Sequence, residues 1–243
     1  MLGSQHGRRT VGERCGVHLR MPRYAASVVS LPVGTYVLGG NQLEDHLSSR
    51  TTSDFLPVGA TSWNQGPDLP TSTWGWFDFC AVSISSTQFL AIVGIEIREF
   101  DLGQTSEDPT SSNGWLGPDT WPNLLGTWRR SFGCGVANNK VIVAGPDITT
   151  EIIDIDTKTT RRGPDMLERR KWFQLLPVVG SDSKSTLLAL GGYQAGPGVP
   201  AIHMKAVEKW DPVSETWSET EQQLVVGRKR YGAVIVDKAL VCG

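Results

Sequence analysis

A short apolar segment that ends in glycine recurs five times along the 243-residue chain, and this repeat constrains the fold more than any other feature. The copies end at Gly40, Gly94, Gly145, Gly192 and Gly243, so the intervals between them are 54, 51, 47 and 51 residues. Another short apolar segment and a polar turn precede each copy, which predicts a β-hairpin. Such regularity predicts that one supersecondary unit is used several times.

Two further strands are predicted after the hairpin. The pattern is clearest in residues 206–217, where an alternating segment is followed by a turn at Asp211 and by a strand that opens with Trp217. Residues 150–160 repeat this shape without the tryptophan. Four strands in about fifty residues form the unit of a β-propeller blade, so the sequence predicts an all-β fold of this kind.

Three sequence features resemble those of kelch-repeat proteins. They are the Gly-Gly pair after the second strand, the Trp-Asp-Pro-x-x-x-x-Trp run from Trp210 to Trp217, and the closing segments Met21-Pro-Arg23 and Arg228-Lys-Arg-Tyr231. The resemblance covers about residues 21–243 and is weak in the second copy, which has an insertion at residues 101–114. It implies a kelch-type β-propeller with four recognisable blades and a partial fifth.

The predicted boundaries follow from the repeat. The blades are expected at residues 24–70, 76–122, 130–168, 171–227 and, in part, 230–243. Residues 1–12 are expected to form a disordered extension, and residues 13–22 resemble a fourth strand that closes the last blade. Because kelch propellers usually have six or seven blades, as the family implies, we expect an incomplete ring, with a compact five-blade-like arrangement as the alternative.

We expect the recurring glycines and tryptophans to serve packing rather than ligand binding. Glycine can adopt a positive φ and allows neighbouring backbone to approach closely. A tryptophan on an outer strand can cover the face between adjacent blades, where burial of the ring contributes on the order of 3 kcal/mol.

Composition and charge narrow the functional classes. The chain has 23 basic and 25 acidic residues, a net charge of −2, which argues against nucleic acid or a membrane surface as the partner. The longest apolar run, residues 89–95, is too short to span a bilayer. Four cysteines (Cys15, Cys80, Cys134 and Cys242) are too sparse for a disulfide scaffold, and no signal peptide is visible. We therefore predict a cytoplasmic protein with reduced thiols.

Motifs of the common enzyme classes are missing from the sequence. It has no Gly-x-Ser-x-Gly nucleophile elbow, and the glycine-rich run at residues 191–198 contains a proline that forbids a helix, so we predict a long loop there. The four histidines share no metal-ligand spacing. We predict no catalytic residues and no cofactor or metal.

A cluster of acidic residues receives a structural interpretation. Glu151, Asp154 and Asp156 lie close together in the sequence, and we expect them on an exposed strand edge and turn rather than around Ca²⁺.

Basic residues precede the first strand of several blades and suggest a binding function. They occur at Arg23, at 129–130, at 169–171 and at 228–230. Equivalent positions cluster on one rim of a propeller, where guanidinium groups bind an acidic or phosphorylated peptide through bidentate hydrogen bonds. We predict a non-enzymatic protein-binding module and expect the partner to contact the following residues: Arg23, Arg130, Arg170, Arg230, Trp74 and Trp76.

Three alternatives stay open. The arginines can instead pair with acidic side chains on adjacent strands or be solvated. The protein can be a divergent copper-radical oxidase, since those enzymes resemble kelch propellers, although they need two His and two Tyr around copper. It can also be a carbohydrate-binding or adhesion module in which Trp74 or Trp76 stacks on sugars, since the second blade has these aromatics where the others have arginine.

Overall fold

The computed structural model describes residues 18–41, 51–70, 79–126, 129–180, 185–196 and 199–233. These residues form antiparallel β-sheets, joined by turns and by short 3-10 helices. In the sheets formed by residues 27–65, 80–101 and 133–162, every strand pairs with its neighbours in chain order. The all-β prediction is therefore confirmed, and the predicted hairpins are present in four successive sheets.

The first two sheets contain seven strands. Sheet 1 is formed by β1 (Ser27–Leu31), β2 (Gly34–Leu38), β3 (Ser53–Pro57) and β4 (Asn64–Gln65). Sheet 2 is formed by β5 (Cys80–Ser83), β6 (Gln88–Val93) and β7 (Glu96–Asp101).

The last two sheets have four strands each. Sheet 3 is formed by β8 (Gly133–Ala137), β9 (Lys140–Ala144), β10 (Thr150–Asp154) and β11 (Thr159–Arg162). Sheet 4 is formed by β12 (Gln174–Val179), β13 (Ser185–Leu190), β16 (Val207–Asp211) and β17 (Thr216–Glu219). A separate hairpin of β14 (Tyr193–Gly196) and β15 (Val199–His203) lies between β13 and β16, where we predicted a long loop.

Consecutive sheets pack face to face through apolar clusters. Phe89 and Leu90 are neighbours on β6 and point to opposite faces, as successive strand residues must. Phe89 packs in a cluster with residues of sheet 1, whereas Leu90 packs in a cluster with residues of sheet 3. Because β6 is buried on both faces, its sequence is a continuous apolar run rather than an alternating one.

The same arrangement joins sheets 3 and 4. Ile142 and Ile152 of sheet 3 share a cluster with Leu187, Trp210 and Trp217 of sheet 4. The indole nitrogen of Trp217 donates a hydrogen bond of 3.2 Å to Thr150 Oγ1 across this interface. The prediction that the tryptophans of this repeat serve packing between sheets is confirmed for Trp210 and Trp217.

Sheet 2 departs from the four-stranded pattern. Its third strand leads into a segment with three-residue 3-10 helices, and Trp115 from this segment forms a bridge with Phe100. The segment also reaches sheet 1, because the Tyr36 hydroxyl donates to the Pro109 carbonyl at 3.1 Å. Burial, together with the nearby Asp108 carboxylate, raises the pKa of Tyr36 well above its usual value. The predicted insertion thus ties sheets 1 and 2 together.

A disulfide links the first strands of sheets 2 and 3. Cys80 on β5 and Cys134 on β8 are bonded, with their Cα atoms 5.9 Å apart. The prediction of reduced thiols is therefore wrong for these two residues. The spacing of the cysteines gave no indication of the pair. The two residues are 54 positions apart in the sequence, and only the stacking of the two sheets brings them close together.

None of the helices in the described ranges is long and apolar enough to cross a bilayer. The predicted N-terminal extension and most of the partial fifth blade lie outside the described residues.

The disulfide gives the first prediction. Cys134→Ala should lower the free energy of unfolding by about 2–4 kcal/mol, because a crosslink that closes a long loop restricts the unfolded chain. Urea denaturation under non-reducing conditions measures this loss. Reductant should destabilise the wild type by a similar amount and leave the variant unchanged; a wild type that is insensitive to reductant would contradict the assignment.

Candidate functional site

Three arginines that precede the first strand of a sheet are buried. The side chains of Arg23, Arg129 and Arg170 are 1%, 5% and 0% exposed, and each pairs with a buried carboxylate on the third strand of its own sheet. The partners are Asp54, Glu151 and Glu208. Because a buried charge must be compensated, these pairs determine where the chain enters each sheet.

Each of the three arginines donates to a carboxylate oxygen and to two backbone carbonyls, and we call this arrangement the arginine clasp. In sheet 4, Arg170 Nε and Nη2 donate to Glu208 Oε1 at 3.0 and 2.7 Å. Its Nη1 donates at 2.8 Å to two carbonyls, those of Gly191 and Ala206. Gly191 follows the second strand and Ala206 precedes the third, so one guanidinium joins three parts of the sheet.

Sheets 1 and 3 reproduce the clasp. Arg129 donates to Glu151 Oε1 and to the carbonyls of Gly145 and Thr149. In sheet 1, Arg23 donates to Asp54, Gly39 and Thr52 in the same way. In every copy the second carbonyl belongs to the residue two places before the acid, and since every residue has a carbonyl, this spacing leaves no signal in the sequence.

In sheets 3 and 4 the carboxylate also holds the segment that leads to the arginine. Glu208 accepts hydrogen bonds from the backbone N–H groups of Leu167 and Glu168, at 2.8 and 3.2 Å. Glu151 accepts from those of Leu125 and Gly126. The acid therefore fixes the backbone before the arginine as well as the arginine itself.

Sheet 2 lacks both members of the clasp. Ile97 faces Ile92 across the sheet, at the register that Glu151 and Glu208 occupy in sheets 3 and 4, and it is buried. The sequence from residue 70 to 79 contains no arginine. An apolar residue replaces the acid where its cation is missing, so neither charge is left buried without the other.

These contacts correct two of the predicted binding residues and one acidic residue. Arg23 and Arg170 are enclosed by intramolecular partners, so the alternative in which the arginines pair with acids on adjacent strands is right for them. Glu151, expected on an exposed edge, is 1% exposed and belongs to the clasp. Its neighbour Asp154 does lie at a turn, where hydrogen bonds from Thr157 lower its pKa.

The residue two places after each clasp arginine, and also after Arg228, has a left-handed backbone conformation. Ala25, Ser131, Trp172 and Arg230 have φ values of 55°, 60°, 54° and 54°. The Trp172 N–H donates to the Ser131 carbonyl at 2.9 Å, and the Arg230 N–H donates to the Trp172 carbonyl at 3.0 Å. The segments at 129–131, 170–172 and 228–230 are thus joined at one end of the sheets. We call this surface the basic rim.

The arginine clasp buries one cation and leaves its neighbours on the surface. Arg130 and Arg230, both predicted binding residues, are exposed, and Lys171 and Lys229 are half-buried. Arg228 stands at the position of the clasp arginines but is exposed. Trp74 and Trp76 lie outside the described residues. Of the predicted binding residues, Arg130 and Arg230 therefore lie on the basic rim. Two lysines that were not predicted, Lys171 and Lys229, lie there as well.

Aromatic rings lie beside the rim cations at sheet 4. The rings of Trp172 and Tyr193 are 5.8 Å apart, and His203 lies 5.7 Å from Tyr193. Lys229 Nζ is 4.0 Å from the centre of the Tyr193 ring, and Arg230 Cζ is 4.1 Å from that of Trp172. Sequence reasoning missed Tyr193 and His203 as site residues, because β14 and β15 were expected to form a loop, and it also missed Trp172, which precedes β12.

Other surfaces offer less chemistry. An open cleft of about 720 Å³ lies between sheets 2 and 3, but Lys158 at its wall is already held by Glu99 at 3.1 Å and by the Trp121 ring. In the part of the chain that the structure describes, no three His, Cys, Asp or Glu side chains are grouped as a metal site would require.

No protein-family model matches the chain, and the search of curated proteins also found no match.

The clasp gives the second prediction. Arg170→Ala should lower the free energy of unfolding by about 3–5 kcal/mol, because it leaves the Glu208 carboxylate buried without its cation. The matched control is Arg161→Ala, which removes a half-exposed partner of Glu215 and should cost less than about 1 kcal/mol. Urea denaturation measures both variants.

A double variant keeps this test decisive if Arg170→Ala does not fold. Arg170→Met combined with Glu208→Leu removes both charges and should be more stable than Arg170→Ala. Equal losses in Arg170→Ala and Arg161→Ala would contradict the structural role of the clasp.

A third prediction concerns the ion pairs between sheets 3 and 4. Hydrogen bonds from Arg161 (2.5 Å) and from Lys140 (2.6 Å) lower the pKa of Glu215. A lowered pKa means that the stabilisation is present above the ordinary carboxyl pKa and is lost as the pH falls through the lowered value.

Glu215→Gln should therefore be less stable than the wild type at pH 7, by under about 1 kcal/mol because the pair is partly exposed. The difference should shrink as the pH falls below 4.5. Thermal unfolding across this pH range measures it, and a difference that grows on acidification would contradict the assignment.

Proposed function

We propose that the chain is part of a kelch-type β-propeller and acts as a non-enzymatic module that binds an acidic segment of another protein on its basic rim. The repeat in the sequence supports the propeller, and so does the stacking of four successive sheets. Each apolar cluster joins one sheet to the next, and the first strands β1, β5, β8 and β12 lie side by side in that order. Strands that follow one another in this manner are what an arc around a shared axis requires.

The single observation that carries the binding function is that a buried arginine is followed by a cation that is exposed or half-buried. Arg129 is followed by Arg130 and Arg170 by Lys171, and the clasp fixes the backbone that presents both neighbours. Cations on a fixed backbone lose little conformational freedom when they bind a carboxylate, which favours an acidic ligand.

The other candidate functions gain no support from the described residues. A carbohydrate site was assigned to Trp74 and Trp76, and these lie outside that part of the chain. A copper site needs grouped histidines and tyrosines, and no observation here brings such a set together.

The proposal gives a fourth prediction. A fluorescent peptide rich in Asp and Glu should bind the wild type, and the double substitution Arg130→Ala, Arg230→Ala should weaken binding by about tenfold or more, because charged hydrogen bonds contribute about 1.5–3 kcal/mol each. The loss should be accompanied by a weaker dependence of affinity on salt. Fluorescence anisotropy measures both.

The matched control is the double substitution Arg161→Ala, Arg162→Ala. It removes two exposed positive charges from β11, the fourth strand of sheet 3, where they pair with Glu215 and Asp165, and should leave the affinity for the acidic peptide unchanged. Equal weakening by the two double variants would show that only net charge matters and would contradict binding at the rim.

A further inference from the structure

We propose that the binding centre of the rim is the cluster of Trp172, Tyr193, Lys229 and Arg230, and that its ligand is a phosphate monoester carried on an extended peptide. This inference rests on the proposed function and narrows both its site and its ligand. It follows from how the two cations are held, from how the aromatic rings are fixed, and from the local balance of charge.

Two cations share one aromatic ring. Lys229 Nζ lies 5.4 Å and Arg230 Cζ lies 4.1 Å from the centre of the Trp172 ring, so both positive charges lie within 5.4 Å of one ring centre. The faces of Trp172 and Tyr193 attract these cations and partly offset their mutual repulsion. Since a ring carries no net charge, the two positive charges are brought together without being neutralised.

The cluster is held in place before any ligand binds. The backbone N–H of Trp172 donates to Ser131 and its carbonyl accepts from Arg230, as described above. Lys171 and Tyr193 pair through their backbones, with N–O distances of 3.0 and 2.8 Å, and this fixes the Tyr193 ring beside Trp172. The clasp of Arg170 fixes the backbone just before Lys171. A site that is already ordered loses little entropy on binding.

The charge around the cluster is positive. Arg169, Lys171, Lys205 and Arg228 belong to the same segments of sheet 4, which also contain one exposed carboxylate, Glu168. Within the described ranges, no salt bridge joins any of these four residues, Lys229 or Arg230 to a carboxylate. Glu208 is close in sequence to Lys205, but its carboxylate already pairs with Arg170 and accepts a hydrogen bond from the Leu167 N–H. This end of sheet 4 therefore has an excess of cations.

This excess distinguishes a phosphate from a carboxylate. A phosphate monoester carries about −1.5 to −2 charges at pH 7 and has three acceptor oxygens, so it can neutralise Lys229 and Arg230 together. A carboxylate carries one negative charge and leaves one of the two cations without a counter-charge. A peptide carrier is favoured because the backbone bonds place Ser131, and with it Arg130, next to the cluster, which extends the basic surface beyond a single group.

The experiment compares three fluorescent peptides of one neutral sequence that differ at a central serine. The serine is unmodified, replaced by glutamate or phosphorylated. We expect the phosphopeptide to bind at least about tenfold more tightly than the glutamate peptide, because it makes additional charged hydrogen bonds. The double substitution Lys229→Ala, Arg230→Ala should remove this preference, and Lys209→Ala, which removes an exposed lysine of β16, should not. Circular dichroism checks that each variant is folded.

The outcomes separate this inference from the proposed function. Equal affinity for the glutamate and phosphorylated peptides would overturn the phosphate assignment and leave an acidic ligand in place. Failure of both peptides, and of the Asp- and Glu-rich peptide above, would overturn the proposed function as well. A phosphate preference that survives in the Lys229, Arg230 variant would overturn the assignment of this cluster.

Competition experiments identify the source of the phosphate. Inorganic phosphate should displace the phosphopeptide only at concentrations far above the affinity of that peptide, since it lacks the flanking contacts. Displacement at equal concentration would overturn the peptide as carrier. A fluorescent single-stranded oligoribonucleotide that binds more tightly than the phosphopeptide would identify nucleic acid as the ligand and would overturn the inference.

Discussion

The structure depends on buried guanidinium groups whose hydrogen-bond donors find their acceptors within the same sheet. Each clasp arginine reaches a carboxylate on the third strand and a carbonyl at the end of the second, so a single side chain fixes three segments. Removing water from such a pair is expensive, and the cost is offset only when the remaining donors also find acceptors. In sheets 3 and 4 the guanidinium also donates to two backbone carbonyls. The carboxylate in turn accepts hydrogen bonds from the backbone amides of the preceding segment.

The clasp connects packing within a sheet to the stacking of one sheet on the next. The Gly145 carbonyl accepts a hydrogen bond from Arg129, and the Gly145 Cα faces the Arg170 carbonyl of the following segment. A Cβ at Gly145 would lie 2.8 Å from that carbonyl oxygen, and the residue has a φ of +85°, so only glycine is free of strain here. Gly191 stands in the same relation to the carbonyl of Arg228. Gly145 and Gly191 are thus points where one repeat contacts the next.

Much of the fold could be predicted from the sequence, whereas most of the site could not. Strand pairs and their glycines follow from local periodicity, and these predictions hold for the hairpins β1–β2, β5–β6, β8–β9 and β12–β13 and for the strand pairs β10–β11 and β16–β17. The role of an arginine depends on its environment: Arg129 and Arg130 are adjacent and chemically identical, yet one is buried and the other exposed. The contact between Lys229 and Tyr193 joins residues 36 positions apart through an inserted hairpin, and no local pattern encodes it. The disulfide likewise depends on stacking.

The central claim is that the clasp carboxylates of sheets 3 and 4, Glu151 and Glu208, hold the segments that form the rim. Amide hydrogen exchange in the wild type and in Glu208→Gln tests this most directly. The account predicts that protection falls at the amides of Leu167, Glu168 and Trp172, while the amides of β9 and β10 in sheet 3 keep theirs. Unchanged exchange at residues 167–172, or an equal loss of protection throughout sheets 3 and 4, would contradict it.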